Sequence, residues 1–464
     1  MERPTVAFSA PGKVLLAGGY LVLDRNFTGL VCGLDARIHV HVRTLQTSPG
    51  LTLSEIIVRS PQFRDAEWRY GYRETEEDGG IEVTQLKGHS TAKKSQNKFV
   101  ETALAYALTY ASAVDHTKIG PTSITILADT DYYSHSGSSG NDALGTDDHF
   151  LNFNVALHEA HKTGLGSSAA LVTALTTAVV AHYAPREVID VSSDHEKARI
   201  HNLAQAAHCA AQGKVGSGFD IAAAVHGSCI YKRFSPSILE GLGEIGSKAF
   251  STRLKEIVED RNPTKKWDVN IDKKLARVVP RGLRLVMCDV DCGSETVGMV
   301  KKVLSWRKSH PEESTLLWET LQRGNEDLAT ELQKLSSKSA STPDDYENIR
   351  TVILTIRSLI REMSSKSGVP IEPLVQTRLI DACCEVPGVV GGVVPGAGGF
   401  DAMALLVEDR EDVVDALRKF VESYRVEAEE GGGVSIGKVR LLGVKQEDQG
   451  VRREDSRYYQ KWLR

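Results

Sequence analysis

Residues 162–180 read KTGLGSSAALVTALTTAVV, and the reading of this stretch decides the fold. Two glycines flank a leucine, two serines follow, and the chain then turns into small and branched apolar residues. Upstream, Leu151, Phe153, Val155 and Leu157 alternate with polar residues, which predicts a strand running into the turn. Strand, glycine turn and buried helix together make a place for an anion. Glycine lets backbone amides approach a ligand closely, and the first turn of a helix presents unpaired N–H groups at the positive end of its dipole. Ser167 and Ser168 add hydroxyls suited to a phosphate oxygen or a magnesium ion. The plain alternative is a tight strand–helix turn whose serines only cap the helix.

Two other glycine patterns compete with a phosphate cradle. Gly164, Gly166 and Ala169 satisfy G-x-G-x-x-G/A, the dinucleotide fingerprint, which would suit a nicotinamide-dependent oxidoreductase. That fingerprint calls for a strand ending in an acid roughly 20 residues on, where Pro185-Arg186-Glu187 stands instead. Gly432–Lys438 matches G-x-x-x-x-G-K, but Val439 follows where a P-loop needs Ser or Thr, and the preceding EAEE is no buried strand. It reads as a hinge.

The whole-chain totals narrow the function classes. A chain of 464 residues is long enough for two or three cores. A formal net charge of −5 argues against nucleic acid as a partner. No membrane span is predicted, because Ala169–Ala184, the most apolar stretch, is interrupted by threonines and His182. The start, MERPTVAFSAPGK, lacks a signal-peptide core, and seven sparse cysteines without a CxxC fit reduced thiols, so a cytoplasmic protein is expected. HEAH at 158–161 misses the HExxH zinc pattern by one position, leaving His158 and His161 as ordinary polar residues.

Periodicity predicts short strands at Val6–Ser9 and Val14–Ala17 around a Pro11-Gly12 turn, and further strands at Ile38–Arg43, Ile56–Arg59 and Ser123–Ala128. Asn97–Val114 is apolar at helical spacing, and a helix capped near Ser192–Ser193 should run to Gln212, ended by Gly213. A strand is expected at Ser228–Phe234. The charged stretch 259–274, with Asn262-Pro263, suggests a domain boundary, placed at 265/266. Beyond it come a strand at Leu283–Asp289, helices at Ser294–Arg307, 311–336 and 345–366, strands at Val389–Pro395 and Ala402–Val407, and a helix at Asp412–Glu430. The charge-dense tail from Lys445 reads as solvated surface.

The central loop does not stand alone. SAPGKVLLAGGYLVLD (9–24), GKVGSGFD (213–220) and VVPGAGGFDAMALLV (393–407) are further glycine-bearing stretches, each with apolar flanks. In this order the set resembles the GHMP kinase superfamily, over nearly the whole chain. The finer text, AGGYLVLD, AQAAHCAAQGKVGSGFD, GSETV and PGAGGFDA, is similar to the fungal-type phosphomevalonate kinases within it.

That resemblance implies an α+β fold of two domains: a ribosomal S5 domain 2-like N-terminal domain, residues 1–265, and a ferredoxin-like C-terminal domain, residues 266–464. It implies ATP and Mg2+ as cofactors, 5-phosphomevalonate as acceptor, and a monomer with only small-molecule partners. The loop that wraps the ATP phosphates carries over onto Lys162, Thr163, Gly164, Leu165, Gly166, Ser167, Ser168, Ala169 and Ala170, with Ser168 as the magnesium-side hydroxyl and Asn97 on the nucleotide side. Lys13 and Asp220 fall on the catalytic positions. Tyr20, Ser217 and Gly398 fall on the substrate side, and Gly396–Gly399 would close over the site from the second domain. One departure concerns the metal: related kinases place a magnesium-binding glutamate on the helix before SG-x-D, and His208 occupies that place here.

The chemistry can be reasoned from the residues themselves. Phosphoryl transfer asks mainly for positioning and charge stabilisation. A phosphomonoester acceptor has a second pKa near ~6, so its nucleophilic oxygen is largely deprotonated at neutral pH. The greater obstacle is repulsion between two anions, several kcal/mol in a partly dry site. Lys13 is expected to bridge them. Lys162 and Lys214, beside glycine loops, are candidate helpers. Asp220 has three open roles: orienting Lys13, accepting a proton, or helping to hold magnesium. Lys93, Lys94 and Lys98, in KGHSTAKKSQNK (87–98), are candidate acceptor-binding cations, and Ser294 at a second helix start is a candidate anion contact.

Overall fold

The computed structural model describes residues 3–46, 53–86, 96–116, 118–133, 149–184, 189–273, 278–292, 298–338, 343–426 and 435–463. Its first lobe carries β1 (Val6–Ala17), β2 (Thr28–Thr44), β3 (Glu55–Arg59), β4 (Glu67–Glu74), β5 (Ile81–Gln85), α1 (Lys98–Asp115), β6 (Thr122–Ala128), α2 (Ser167–Tyr183), α3 (Asp194–Gln212), α4 (Phe219–His226), β7 (Cys229–Lys232), α5 (Phe250–Val258) and β8 (Asn270–Asp272). The second carries β9 (Leu283–Asp291), α6 (Met299–Ser309), α7 (Pro311–Ser336), α8 (Pro343–Ser367), α9 (Leu374–Cys384), β10 (Val389–Val393), β11 (Ala402–Glu408), α10 (Glu411–Ser423) and β12 (Lys438–Leu441). Two short strands, β13 (Gln446–Glu447) and β14 (Arg452–Arg453), end the series.

The two strands expected at the N-terminus are one. β1 pairs antiparallel with β2 from Val6↔Val42 to Ala17↔Leu30, and Pro11-Gly12 is a register shift inside it rather than a turn. Proline, which has no N–H to give the ladder, is tolerated at such an irregularity. The large sheet runs β14-β1-β2-β6-β3-β4-β5, with β3 and β6 parallel and β7, β8 and β13 branching from the β2 side. Helix α2 is buried along nearly its whole length, as its run of Ala, Val and Thr requires. It packs on α1, α3, β1 and β2 at the centre of the lobe.

The predicted strand before the central loop does not form. Asn154 adopts a left-handed φ of 54°, which breaks the alternation. Instead this segment runs as coil beside residues 60–64, where the Phe153 amide donates to the Gln62 carbonyl at 2.9 Å and the Phe153 and Phe63 rings stack 4.9 Å apart.

The second lobe holds a four-stranded antiparallel sheet, β10-β11-β9-β12. Helices α9 and α10 share an apolar core with it, and α7 and α8 pair as a long hairpin. Helix α10 ends at Ser423, short of the expected Glu430. Lys438 of the rejected G-x-x-x-x-G-K pattern opens strand β12, so no helix follows it as a P-loop would need.

The tail is the largest correction to the domain reading. β14 pairs with β1, β13 pairs with β2, and Tyr459 is buried in the following 3-10 segment Ser456–Trp462. β8, also beyond residue 265, pairs with β7. Residues 266–464 are therefore not one consecutive unit, since the last strands return to the first lobe's sheet. Charge density disguised this, because alternate side chains of such short edge strands can stay solvated while the backbone pairs.

Candidate active site

The central loop is shaped by Gly164 and Gly166, both left-handed with φ of 75° and 83°. Gly166 is the N-cap of α2, and no side chain caps that helix. Its first-turn amides are thus offered to a ligand, with Ser167 and Ser168 in the same turn. Ala169 and Ala170 are buried beneath them.

Lys13 lies across this corner. Its amide donates to the Leu165 carbonyl at 2.8 Å, and Nζ donates to the Gly164 carbonyl at 3.3 Å. A methyl group on Gly166 would stand 2.9 Å from both Cγ and Cε of Lys13, so the lysine stem rides directly over that glycine. The ammonium sits 5.7 Å from the centre of the Phe219 ring. Burial lowers the Lys13 pKa, and the Asp220 carboxylate opposes that shift. Lys13 therefore rests on the loop that leads into Ser167 and Ser168.

Asp220 is in the first turn of α4, which Gly218 starts with a φ of 86°. Between Asp220 and Ser168 stands His208 of α3. Its Nε2 is 3.1 Å from Ser168 Oγ, 3.4 Å from Gln212 Nε2 and 3.9 Å from Asp220 Oδ2. Burial lowers the His208 pKa, with Asp220 again opposing.

Beside the serines lies a pocket of about 90 Å³ whose lining includes Asn97, Phe99, Tyr133, Lys162, Ser167, Ser168 and Leu171. Asn97 is the N-cap of α1, its Oδ1 accepting from the Val100 amide at 3.3 Å. Lys162 is held by a bridge to Tyr133. Thr163 and Leu165 are different. The Thr163 hydroxyl donates to the Asp131 carbonyl at 2.6 Å and its amide to Tyr132, while Leu165 is buried in the core. Those two side chains anchor the loop from behind.

The substrate-side expectations divide. Tyr20 Oη donates to the Ala397 carbonyl at 2.7 Å, so this hydroxyl ties the glycine loop of the second lobe to the first. A methyl group on Gly19 would meet the Gly396 carbonyl at 2.5 Å, which shows how closely the two backbones approach. Gly398 is left-handed, with φ of 77°, and packs against Ile371. Ser217 precedes α4 and its carbonyl accepts from Tyr231 Oη at 2.7 Å. Lys214 lines another depression with Thr102, Tyr106 and Leu242, whose lining shares no residue with the pocket beside the serines. Lys98 is exposed in the first turn of α1. Lys93, Lys94 and Ser294 lie outside the described residues.

Sequence reasoning missed Phe219, Gln212 and Arg233. The Arg233 guanidinium donates to the carbonyls of Leu23, Val215 and Gly216 at 2.5, 3.0 and 2.7 Å, clamping the turn after Tyr20 to the stretch before α4. The spacing of His208 and Gln212, one helical turn apart, was the available signal for that pair. For magnesium, the corner offers hard oxygen donors, Ser168 Oγ and the Asp220 carboxylate, which suit an ion that keeps phosphate and water ligands. Among the described residues no group of three or more His, Cys, Asp or Glu could hold a metal by itself.

A family profile described as the GHMP kinases N terminal domain matches residues 141–228, which contain the glycine loop, His208 and Asp220. The Aspergillus fumigatus phosphomevalonate kinase erg8 is 49% identical over 484 residues, covering 98% of each chain. The chain belongs to the phosphomevalonate kinase family. The Gibberella zeae phosphomevalonate kinase ERG8 is likewise 49% identical, over the whole of both chains. Among solved structures, Streptococcus pneumoniae phosphomevalonate kinase, in complex with phosphomevalonate and AMPPNP, shares the fold with a TM-score of 0.59 at 14% identity, over 94% of this chain and all of that one. Family membership removes the nicotinamide-dependent oxidoreductase as a reading. Among the described residues no helix is long and apolar enough to cross a membrane.

Proposed function

We infer that the chain transfers the γ-phosphoryl group of ATP to (R)-5-phosphomevalonate, giving ADP and 5-diphosphomevalonate in the mevalonate route to isoprenoids. The observation that carries this reading is the placement of Lys13 across Gly166, beside the uncapped start of α2 and within electrostatic reach of Asp220.

In this reading the triphosphate lies on the α2 amides and the Ser167 hydroxyl, and the base enters the adjoining pocket near Asn97 and Phe99. The acceptor phosphate, already mostly dianionic, needs little help from a base. Lys13 lies between the two anions and offsets their repulsion, which is where preorganised charge lowers the barrier. Asp220 orients the Lys13 ammonium. Magnesium, when bound, would neutralise phosphate charge, with Ser168 and Asp220 as its protein-side oxygens. The Tyr20–Ala397 bond brings the second-lobe glycine loop over the same cleft, helping to exclude water. A cytoplasmic protein fits: all seven cysteines are free, six of them buried, as reduced thiols would be.

The test is ADP production by the purified protein with ATP and magnesium, comparing 5-phosphomevalonate with mevalonate. Turnover with the phosphorylated acceptor alone is expected. Turnover with mevalonate only, or with neither, would overturn the reading.

A further inference from the structure

We propose that His208 is a positioning residue that takes the Ser168 hydroxyl proton in a hydrogen bond and so leaves the serine oxygen's lone pairs turned to the metal. This rests on the kinase reading above. His208 is only 2% exposed, and Phe99 packs on its ring with centroids 5.5 Å apart. Its Nε2 faces two groups at bonding distance, Ser168 Oγ at 3.1 Å and Gln212 Nε2 at 3.4 Å. With the Gln212 carboxamide turned nitrogen-first, and since that nitrogen only donates, Nε2 is assigned as an acceptor on that side. Ser168 is then the donor in the shorter contact.

The arrangement has two consequences. With its proton directed to His208, the Ser168 oxygen can present lone pairs to a cation instead of competing for one with its own hydrogen. Asp220, at 3.9 Å from Nε2, is beyond a normal hydrogen bond to the ring and stays available to the Lys13 ammonium. A ring that donated from Nε2 would draw the carboxylate toward itself. His208 thus separates Ser168 from Asp220 by supplying an acceptor to one and no donor to the other. Its role is to orient a ligand from behind, as outer partners do for metal ligands generally.

The experiment compares His208→Leu, which lacks the acceptor, with His208→Gln, whose carboxamide oxygen can reach the Nε2 position. Two quantities are read: steady-state kcat and KM, and calorimetric ATP affinity in EDTA and in excess magnesium. His208→Leu should lower kcat by about tenfold or more, with acceptor KM changed less than about twofold. It should also lose most of the gain in ATP affinity that magnesium produces, while affinity in EDTA is kept. His208→Gln should restore most of both. In a Ser168→Ala background, His208→Leu should cost less than about twofold further, since the bond it serves is already gone.

Wild-type values for His208→Leu, a full additional loss in the Ser168→Ala background, or a folded His208→Gln as impaired as His208→Leu would each overturn the proposal. If His208→Leu does not fold, near-wild-type turnover by His208→Gln supports it, and turnover as low as that of Ser168→Ala overturns it. An inactive wild-type protein would instead sink the kinase reading, so the two failures are distinguishable.

Discussion

The amide of Lys13 donates to the carbonyl of Leu165 at 2.8 Å, stitching the first glycine motif to the central one. Both partners are backbone, so the contact is set by the course of β1 and the turn before α2. It fixes where the lysine stem begins. Gly12, just before it, allows the approach: a methyl group there would stand 2.9 Å from Tyr132 Oη and 3.0 Å from the Leu165 carbonyl.

The two loop glycines should respond differently to alanine. Gly164 and Gly166 both have positive φ, so each substitution carries backbone strain on the order of 1 kcal/mol. Gly164 has open space around its missing Cβ, whereas at Gly166 the new methyl strikes the Lys13 stem. Gly166→Ala should therefore cut kcat by at least about tenfold more than Gly164→Ala, with similar losses in melting temperature. Equal kcat values would show that the lysine's course over Gly166 is immaterial.

Lys13→Met should reduce kcat by about 10²–10³-fold, the usual effect of removing one preorganised charge from a transition state. Its melting temperature should hold or rise, because burial already disfavours the ammonium. Since the Lys13 pKa lies below the usual 10.5, the wild-type rate should fall on the alkaline side before that pH. Asp220→Asn should move that fall to lower pH, as the opposing carboxylate is lost. A pH–rate profile for both proteins checks the sign.

Arg37 should prove a stability residue. Its buried guanidinium donates to Ser9 Oγ at 2.7 Å, to the Ser9 carbonyl at 3.1 Å, and to the tail carbonyls of Gln449 and Gly450 at 3.3 and 2.6 Å. Burial brings its pKa down to about 10, so it remains charged at neutral pH. Arg37→Met would leave those acceptors unmet and should cost about 3–5 kcal/mol. Denaturant unfolding gives the magnitude, and faster proteolysis of the C-terminal segment would locate it. An unchanged midpoint would contradict the clamp.

Stability should fall with acid in a defined window. Burial lowers the pKa values of His41, His182 and His201 to about 4 each, against an ordinary 6.5. Above about 6.5 neither the folded nor the unfolded state protonates these rings, and their contribution is fully present. As pH drops toward 4 the unfolded chain takes up protons that the folded chain refuses, so stability is lost through that window. Each ring accounts for on the order of a few kcal/mol at the acid end. His182→Asn, which keeps a donor for the Pro4 carbonyl that His182 Nδ1 meets at 2.7 Å, should flatten the dependence of melting temperature on pH. A slope identical to wild type would contradict it.

What the sequence determined by itself was local. The glycines of 162–180, the apolar run of α2, and Gly213 ending α3 with φ of 67° each act within one or two turns of chain, so their conformations could be read directly. The family resemblance added which distant motifs share a cleft. Only the tertiary structure decided what each polar atom was free to do. The Tyr20 hydroxyl donates to a carbonyl of the other lobe, and the Thr163 hydroxyl to the Asp131 carbonyl. The tail, expected in solvent, completes the first sheet beside β1 and β2. His208 comes to rest between Ser168 and Asp220 because α2, α3 and α4 pack together. Backbone preference is coded over a few residues, whereas a hydrogen bond between distant segments depends on strand register and helix packing established over the whole chain.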